Sequence, residues 1–233
     1  MQADVDAATE HLERILAADE SSARIQAAAR GVDIALPDQG LTFRHSFLDG
    51  PIARRARQPG QLLLKACNNR QRSIGKVLDL TAGWATDAFI LASHGQEVTL
   101  LEHHDLVHAI VAHALAQLQH QSGSAEIAQR LHLVKDDALS YLDKLGPEHD
   151  FDCIYLDPMF PEHKSGAKPA KEMQILQALT DNANTEACFD MALAKAHKRV
   201  VVKRGARAPA LMDRAPDFSQ RAKTIRFDVY LTS

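Results

Sequence analysis

The sequence is poor in cysteine and carries no net positive charge. Its three cysteines, Cys67, Cys153 and Cys188, are far apart and form no Cys-x-x-Cys motif, which predicts reduced thiols in a cytosolic protein. The net charge of −3 over 233 residues excludes a basic field over the whole surface. A binding site for a polyanion would therefore have to be a local patch.

Long apolar runs are also missing. No stretch approaches the roughly 20 residues that a membrane helix needs, and the first residues include Asp4, Asp6 and Glu10, unlike the basic start of a secretory signal. We therefore expect a cytoplasmic protein with no membrane partner. His104 and His108 lie one helical turn apart, but no third ligand accompanies them, so no metal site is predicted.

From Lys76 onward, buried strands alternate with helical segments. Strands are predicted at 77–81, 97–102, 130–135, 153–156, 199–203 and 223–231, and helices at 86–94, 105–121, 138–145, 168–180 and 185–196. Strands separated by helices predict an α/β fold with a mostly parallel, Rossmann-like sheet and helices on both faces. The C-terminal strand is expected to be antiparallel.

The first 72 residues are expected to form a small N-terminal α+β subdomain, and residues 73–233 the main domain. Residues 3–30 are alanine-rich with apolar residues near helical spacing, which predicts two helices that break near 19–22 and end at Gly31. Two short strands are predicted around the turn at 37–40, and a further helix at 61–68.

Acidic residues stand at the ends of four predicted strands. They are Asp79, Glu102, Asp137 and Asp157. In an open α/β sheet the carboxyl ends of the strands form the side at which ligands bind. Helix N-capping alone explains a single acid at such a place, but four of them in one αβ series indicate a ligand site.

The spacing of Gly83 and Glu102 indicates which ligand. Glu102 lies 19 positions after Gly83, where an acid can hydrogen-bond a ribose, and Gly83 allows close approach of the backbone. The turn lacks Gly-x-Gly-x-x-Gly, since Ala85 and Thr86 stand in places where glycines would be needed. A dinucleotide pyrophosphate requires such bare backbone N–H groups. S-adenosylmethionine has no phosphate and carries a sulfonium cation, so it suits these acids better.

The segment Asp157-Pro158-Met159-Phe160-Pro161 follows the strand at 153–156. Pro158 has no N–H and ends the strand, so Asp157 and Phe160 are presented at the carboxyl end of the sheet. We interpret Asp157 and the Pro158 carbonyl as acceptors for the two N–H bonds of a nucleobase amine. Phe160 would stack on the base. These three residues are the candidate catalytic group.

Basic residues cluster before the first strand of the main domain and around the fifth strand. Together they could form a basic surface for an RNA backbone, whereas a solvated charged face is the alternative interpretation. The candidate RNA-binding residues are Arg54, Arg55, Arg57, Lys171, Lys203 and Arg204.

The order and spacing of these motifs resemble the RsmJ-type guanine-N2 methyltransferases of bacterial small-subunit (16S) ribosomal RNA. The resemblance extends from about residue 47 to the C-terminus. The matching stretches are 77–83, 87–92, Leu101-Glu102, 155–161, Lys171-Glu172-Met173, 198–204 and 226–230. The resemblance implies a class I methyltransferase fold, S-adenosylmethionine as methyl donor, and N2 methylation of one guanosine in 16S RNA, naked or in the 30S subunit.

The resemblance also implies a set of cofactor-binding residues. By position they are Thr86, Asp87, Glu102, His103, Asp137, Ala138 and Asp157, to which the strand-end pattern adds Asp79 and Gly83. The chain departs from the family in its turn, which reads Gly-Leu-Gly-Arg-Asp in the family and Gly83-Trp84-Ala85-Thr86-Asp87 here. The family's glycine-rich run after the arginine cluster is reduced to Pro59-Gly60.

Other functions remain open on the sequence alone. The loop at Asp157 does not fix the base, so a methyltransferase for another nucleobase amine, such as adenine in DNA or RNA, is one alternative. A non-catalytic RNA-binding protein that has lost its donor through the altered 83–86 turn is a second. A nicotinamide dehydrogenase is least supported, because the glycine fingerprint is absent. The sequence specifies no oligomeric state.

Overall fold

The computed structural model describes residues 2–18, 23–68, 75–158, 170–180 and 184–232. Within these ranges the α-helices are α1 (Gln2–Ala18), α2 (Gly50–Ala56), α3 (Leu62–Cys67), α4 (Thr86–Ser93), α5 (Asp105–His120), α6 (Ala125–Gln129), α7 (Ala138–Lys144), α8 (Lys171–Leu179) and α9 (Thr185–Lys195). The β-strands are β1 (Arg24–Ala28), β2 (Gly31–Leu36), β3 (Leu41–His45), β4 (Lys76–Asp79), β5 (Glu97–Leu101), β6 (Leu131–Val134), β7 (Phe151–Leu156), β8 (Arg199–Gly205), β9 (Phe218–Arg221) and β10 (Ile225–Leu231).

Seven strands form the main sheet in the order β6-β5-β4-β7-β8-β10-β9. The first five are parallel to one another, and β10 runs antiparallel to both β8 and β9. The predicted Rossmann-like α/β fold with an antiparallel C-terminal strand is therefore confirmed. Asp79 pairs with Leu100 on one side and Tyr155 on the other, so the carboxyl ends of the central strands lie side by side.

The central strands are buried on both faces, which explains their near-continuous apolar sequences. Alternate side chains enter two hydrophobic clusters, one on each face of the sheet. Val77 and Val201 belong to one cluster, whereas Leu78, Val200 and Val202 belong to the other. Because the strands are fixed from both faces, their ends hold polar side chains at defined positions.

A separate antiparallel sheet of order β1-β2-β3 precedes the main one. The strands expected on either side of the turn at 37–40 are β2 and β3, joined by a 3-10 turn at Pro37–Gln39. The second N-terminal helix expected before Gly31 is wrong, because residues 24–28 form β1 and pair in register with β2. Strand pairing outweighs the helix propensity of this alanine-rich segment. The expected break at 19–22 lies outside the described residues.

The N-terminal elements share their core with the main sheet. Leu12 of α1, Val32 of β2 and Val77 of β4 belong to one hydrophobic cluster. The division into a subdomain at 1–72 and a domain at 73–233 stays a prediction. Besides β1, the helices α2 and α6 and the strand β9 are not expected from the sequence, and β8 extends two residues beyond the predicted strand, to Gly205.

Membrane-spanning and metal-binding features are both missing from the described residues. In that part of the chain no helix is both long enough and apolar enough to cross a membrane. The same residues contain no group of three or more His, Cys, Asp or Glu side chains arranged to hold a metal ion.

Candidate active site

A cavity of about 270 Å³ opens at the carboxyl ends of the parallel strands. The structure brings all four predicted strand-end acids to it, and three further acids join them. The acidic residues of its lining are Asp79, Asp87, Glu102, Asp136, Asp137, Asp157 and Glu172. The cavity therefore favours a ligand with cationic groups or hydrogen-bond donors.

Asp79, at the end of β4, is almost fully buried and is tied to the neighbouring strand through Thr81. Its Oδ1 accepts from the Thr81 backbone N–H at 2.9 Å and from the Thr81 hydroxyl at 3.3 Å. The same hydroxyl oxygen accepts from the Asp157 backbone N–H at 2.7 Å. Burial raises the pKa of Asp79 to about 7, and the nearby charges of Asp87 and Asp157 act in the same direction.

The turn after β4 is held by Glu102. The Gly83 N–H donates to Glu102 Oε2 at 3.1 Å, and the His104 N–H donates to Oε1 at 2.7 Å. Gly83 has φ 49°, and a Cβ there would lie 2.9 Å from a methyl carbon of Leu176. Burial raises the pKa of Glu102. The carboxylate thus fixes the turn and also lines the cavity.

Trp84 is both a wall of the cavity and a packing residue. It lines the cavity, and its Nε1–H donates to the Glu172 carbonyl in α8 at 2.8 Å. Its ring lies 5.6 Å from Phe43 and 5.5 Å from His45, both in β3. Trp84, one of the three residues that depart from the family turn, therefore joins the turn to α8 and to the small sheet.

Asp157 and Asp87 share one lysine. Lys203 Nζ donates to Asp157 Oδ2 at 2.6 Å and to Asp87 Oδ2 at 2.8 Å. The Tyr155 hydroxyl also donates to Asp87 Oδ2, at 2.6 Å, and Arg55 Nη2 lies 3.6 Å from Asp87 Oδ1. This ionic cluster joins α2, α4, β7 and β8 at one side of the cavity.

In this cluster, burial and the charges of neighbouring groups shift the pKa values of the side chains in opposite directions. Burial raises the pKa of Asp157, and Lys203 opposes that rise. Burial acts on Asp87 in the same direction, but Lys203 and Arg55 outweigh it, so the pKa of Asp87 is lowered. Burial lowers the pKa of Lys203, yet its two carboxylate partners raise it above its ordinary value. The lysine is therefore a fixed cation.

The other candidate cofactor residues are distributed around the same cavity. Thr86, His103 and Ala138 line it, and His103 is exposed. The Asp137 side chain caps α7 by accepting from the Ser140 N–H at 3.0 Å. Asp137 therefore caps α7 and also lines the cavity, as both interpretations of the sequence expected.

The predicted catalytic group is described only in part. Asp157 and Pro158 line the cavity, whereas Phe160 lies outside the described residues. Thr81 and Tyr155, which sequence reasoning does not assign to the site, bind Asp157 and Asp87. The sequence indicates a core position for Tyr155; its ring is buried, but its hydroxyl belongs to the polar cluster. Sequence offers no signal for such a contact, because Asp87 is 68 positions away.

The residues predicted to form a basic surface are not all exposed in the structure. Arg54, Arg57 and Lys171 are exposed. Lys203 and Arg204 lie inside β8. Lys203 is engaged by the two carboxylates, and Arg204 is buried with its guanidinium donating to the Pro209 carbonyl. These contacts argue against RNA phosphate binding by Lys203 and Arg204.

Comparison with known proteins identifies relatives of this chain. The model of the family described as "Putative SAM-dependent methyltransferase" matches residues 12–232. A ribosomal RNA small subunit methyltransferase J from Thioalkalivibrio sulfidiphilus is 38% identical over 208 residues, or 87% of this chain and 82% of the relative. One from Cellvibrio japonicus is 32% identical over 94% of this chain and 83% of its own length.

The chain belongs to this methyltransferase family. The crystal structure of a SAM-dependent methyltransferase from Neisseria gonorrhoeae, 28% identical, superimposes with a TM-score of 0.72 over 96% of this chain and 92% of that one. The resemblance to RsmJ-type enzymes is confirmed. The protein is a SAM-dependent methyltransferase, and S-adenosylmethionine is its methyl donor.

The residues of the cavity fit this donor. S-adenosylmethionine presents an ammonium, a sulfonium, two ribose hydroxyls and an adenine amine, all of which favour acidic or carbonyl partners. Asp79, Glu102 and Asp137 supply carboxylates at the ends of three adjacent strands. Leu101 and Ala138 supply apolar lining between them. The altered turn has left-handed backbone geometry at Gly83 and Ala85, with φ 49° and 54°.

Proposed function

We propose that this protein transfers a methyl group from S-adenosylmethionine to the exocyclic N2 amine of a guanosine in 16S ribosomal RNA, naked or within the 30S subunit. The observation that carries the proposal is the position of Asp157. It lines the same cavity as Asp79, Gly83 and Glu102, so an amine held by Asp157 lies beside the donor. The curated relatives, named ribosomal RNA small subunit methyltransferase J, support the RNA class.

The donor would be held by the strand-end acids. Asp79 would receive the ammonium of the amino acid end, Glu102 the ribose hydroxyls, and Asp137 with the Ala138 N–H the adenine. Thr86, Asp87 and His103 complete the proposed set on the side of the turn. When bound, S-adenosylmethionine supplies an electrophilic methyl group, and the electrons of its carbon–sulfur bond stay on the sulfur.

Asp157 and Pro158 would orient the acceptor. The amine lone pair is delocalised into the base, so the nitrogen is a poor nucleophile, and alignment contributes more than acid–base power. The Asp157 carboxylate and the Pro158 carbonyl would accept one N–H bond each and favour the positive charge that develops on nitrogen. Such electrostatic stabilisation contributes about 3 kcal/mol per group. After transfer the nitrogen releases one proton to solvent.

The RNA would be held outside the cavity. Phe160 would stack on the target base, which contributes about 1–3 kcal/mol. Arg54 on α2, Arg57 directly after α2 and Lys171 at the start of α8 would contact phosphates, and Arg55 lines the cavity. Both helices contribute residues to the lining, Ile52 and Met173 among them. We also propose a cytoplasmic location, because bacterial ribosomal subunits, which contain this RNA, are assembled in the cytoplasm.

The test is transfer of labelled methyl from S-adenosylmethionine to undermethylated 16S RNA, naked and in 30S subunits. Digestion of the RNA and mass spectrometry should identify N2-methylguanosine. Asp157→Ala should reduce turnover by at least about 100-fold, while calorimetry shows that the donor still binds and circular dichroism shows an intact fold. Transfer at the normal rate by this variant would exclude the proposed role of Asp157.

The same assay separates the alternatives. Methylated adenosine in RNA or DNA would indicate another nucleobase amine as the substrate. RNA binding without donor binding would indicate a non-catalytic RNA-binding protein and would contradict the proposal.

A further inference from the structure

Lys203 lies beside Asp157 in the sheet, and its ammonium is held between carboxylates from two other elements. The Nζ–Oδ2 distances are 2.6 Å to Asp157 and 2.8 Å to Asp87. The side chains of Lys203, Asp157 and Asp87 are 16%, 27% and 8% exposed. A buried ion pair gives weak net stabilisation because both charges lose solvent, so stability alone does not explain this arrangement.

We propose that Lys203 is a positioning residue for the methyl-accepting amine: it holds Asp157 through Oδ2 and leaves Oδ1 as the oxygen that accepts the amine N–H. This inference rests on the proposed function. Lys203 acts through Asp157 and does not itself contact the substrate.

The geometry fixes Asp157 at two points. Its backbone N–H donates to the Thr81 hydroxyl at 2.7 Å, and Pro158 restricts the chain that follows. Its side chain is held by Lys203 on the neighbouring strand, since Leu156 pairs with Val202. Oδ2 accepts from Lys203, whereas Oδ1 accepts no hydrogen bond from the described part of the chain. The carboxylate is therefore oriented before substrate arrives.

The charge of Asp157 depends on the same lysine. The groups that face Asp157 are Lys203 from β8, Asp87 from α4, Asp79 from β4, Tyr155 from β7 and Arg55 from α2. Without Lys203, the carboxylates of Asp79, Asp87 and Asp157 would have only Arg55 as a cation among the groups named above. Neighbouring negative charges that are not neutralised raise the pKa of at least one of the acids. Burial already raises the pKa of Asp157, so this carboxyl would bind the proton. A protonated carboxyl presents a donor in place of an acceptor.

Lys203→Met tests the proposal through the pH profile of methylation. At about neutral pH we expect kcat to fall by about 10-fold or more, and the acid limb of the profile to move up by about one pH unit or more. The loss should therefore shrink at alkaline pH. The KM for RNA should change little, and donor binding by calorimetry should persist because the donor carries cationic groups. Lys203→Arg keeps the charge and should retain the wild-type acid limb.

A matched control exists at the other end of the same strands. Lys198, just before β8, pairs with Asp152 of β7 at 2.7 Å. Lys198→Met removes a more exposed ion pair whose residues do not line the cavity, and it should leave the pH profile unchanged. Circular dichroism establishes that each variant folds. If Lys203→Met does not fold, Lys203→Gln, which keeps a hydrogen-bond donor without charge, takes its place with the same expectation.

Carboxyl ¹³C NMR titration without RNA separates this inference from the substrate assignment. Asp157 should titrate at higher pH in Lys203→Met than in the wild type. An unchanged Asp157 titration, or an unchanged acid limb in an active variant, would overturn the role of Lys203. If wild-type protein methylates no RNA but the Asp157 titration still moves, the substrate assignment fails and the coupling of Asp157 to Lys203 is supported.

Discussion

At the scale of single residues, Asp79 connects donor binding with the stability of the folded chain. It is 2% exposed, and burial raises its pKa to about 7 from 3.8. The folded protein therefore keeps a proton between these pH values that the unfolded chain has released. Because the folded state binds more protons in this window, the free energy of unfolding decreases as pH rises from about 4 to about 7.

Asp79→Asn should remove this dependence. Asparagine keeps the acceptor for the Thr81 N–H but has no charge to bury. In urea denaturation without donor, we expect the variant to exceed the wild type in stability by on the order of 2 kcal/mol at about pH 8, and by much less at about pH 4. A stability difference that does not vary with pH would contradict this. Calorimetry should show weaker S-adenosylmethionine binding, because the variant lacks the carboxylate for the ammonium.

Ala85 offers a second test at this scale. It is fully buried and has φ 54°, at the place where the family turn carries its second glycine. Ala85→Val should destabilise the fold by about 2 kcal/mol or more, because a β-branched residue is strained in the left-handed region and the site has no space. Ala85→Gly should be close to neutral, since relief of strain offsets the lost methyl group and the added chain entropy. Thermal unfolding of both variants measures the difference; equal effects would exclude strain at this turn.

Sequence reasoning located the acids of the site better than the partners of those acids. Asp79, Glu102, Asp137 and Asp157 each follow an apolar run, so their place at a strand end is a local property of the chain. The role of Lys203 is not local, because its two partners are 46 and 116 positions away. A lysine after three valines resembles a surface residue at the end of a strand, and only its contacts with Asp87 and Asp157 show that it is enclosed.

At the scale of the elements, the small sheet shows why the expected second helix fails. Residues 24–28 have acceptable helix propensity, and a hairpin forms only because β2 is available to pair with them. Gly31 permits that hairpin, since it has φ 128° and a Cβ there would lie 2.2 Å from the His45 carbonyl oxygen. Non-local pairing and a close backbone approach are both invisible in a window of local sequence.

Gly31→Ala should therefore destabilise the small sheet strongly. Gly40 is a matched control, because it also has positive φ, 62°, but a Cβ added there would meet no atom within 4 Å. We expect Gly40→Ala to cost about 1–2 kcal/mol from backbone strain alone, and Gly31→Ala to cost more, because a backbone oxygen must also move. Urea denaturation of the two variants gives the comparison. Equal losses would mean that the approach to His45 relaxes without cost.

At the scale of the whole molecule, the alternation of apolar strands and helices after Lys76 was sufficient to predict the main sheet. Each strand–helix unit is short, and right-handed parallel connections leave few ways to assemble such units. The short elements α2, α6 and β9 have too few residues to show a period, so the sequence pattern does not reveal them. The helix α2 matters for the proposed function, because Arg54 and Arg55 lie in it and Arg57 follows it directly.

The placement of α2 leads to a prediction about RNA binding by the whole protein. The overall charge of −3 gives no general attraction for a polyanion, so a few exposed cations near the cavity should dominate affinity. Arg54 in α2 and Arg57 directly after it are exposed, and α2 also contributes Ile52 and Arg55 to the lining. The double variant Arg54→Glu, Arg57→Glu should weaken 16S RNA binding and leave S-adenosylmethionine binding unchanged.

The measurement is RNA affinity at several salt concentrations, with a second double variant as control. Arg14 in α1 and Arg24 in β1 are exposed and do not line the cavity, so Arg14→Glu, Arg24→Glu makes the same change in net charge elsewhere. If Arg54 and Arg57 contact phosphates, the slope of log affinity against log salt should become shallower by about 1–2 in the first double variant only, since each contact with a single strand contributes about 0.7. Equal losses in both double variants would show that net charge, rather than these two contacts, governs RNA binding.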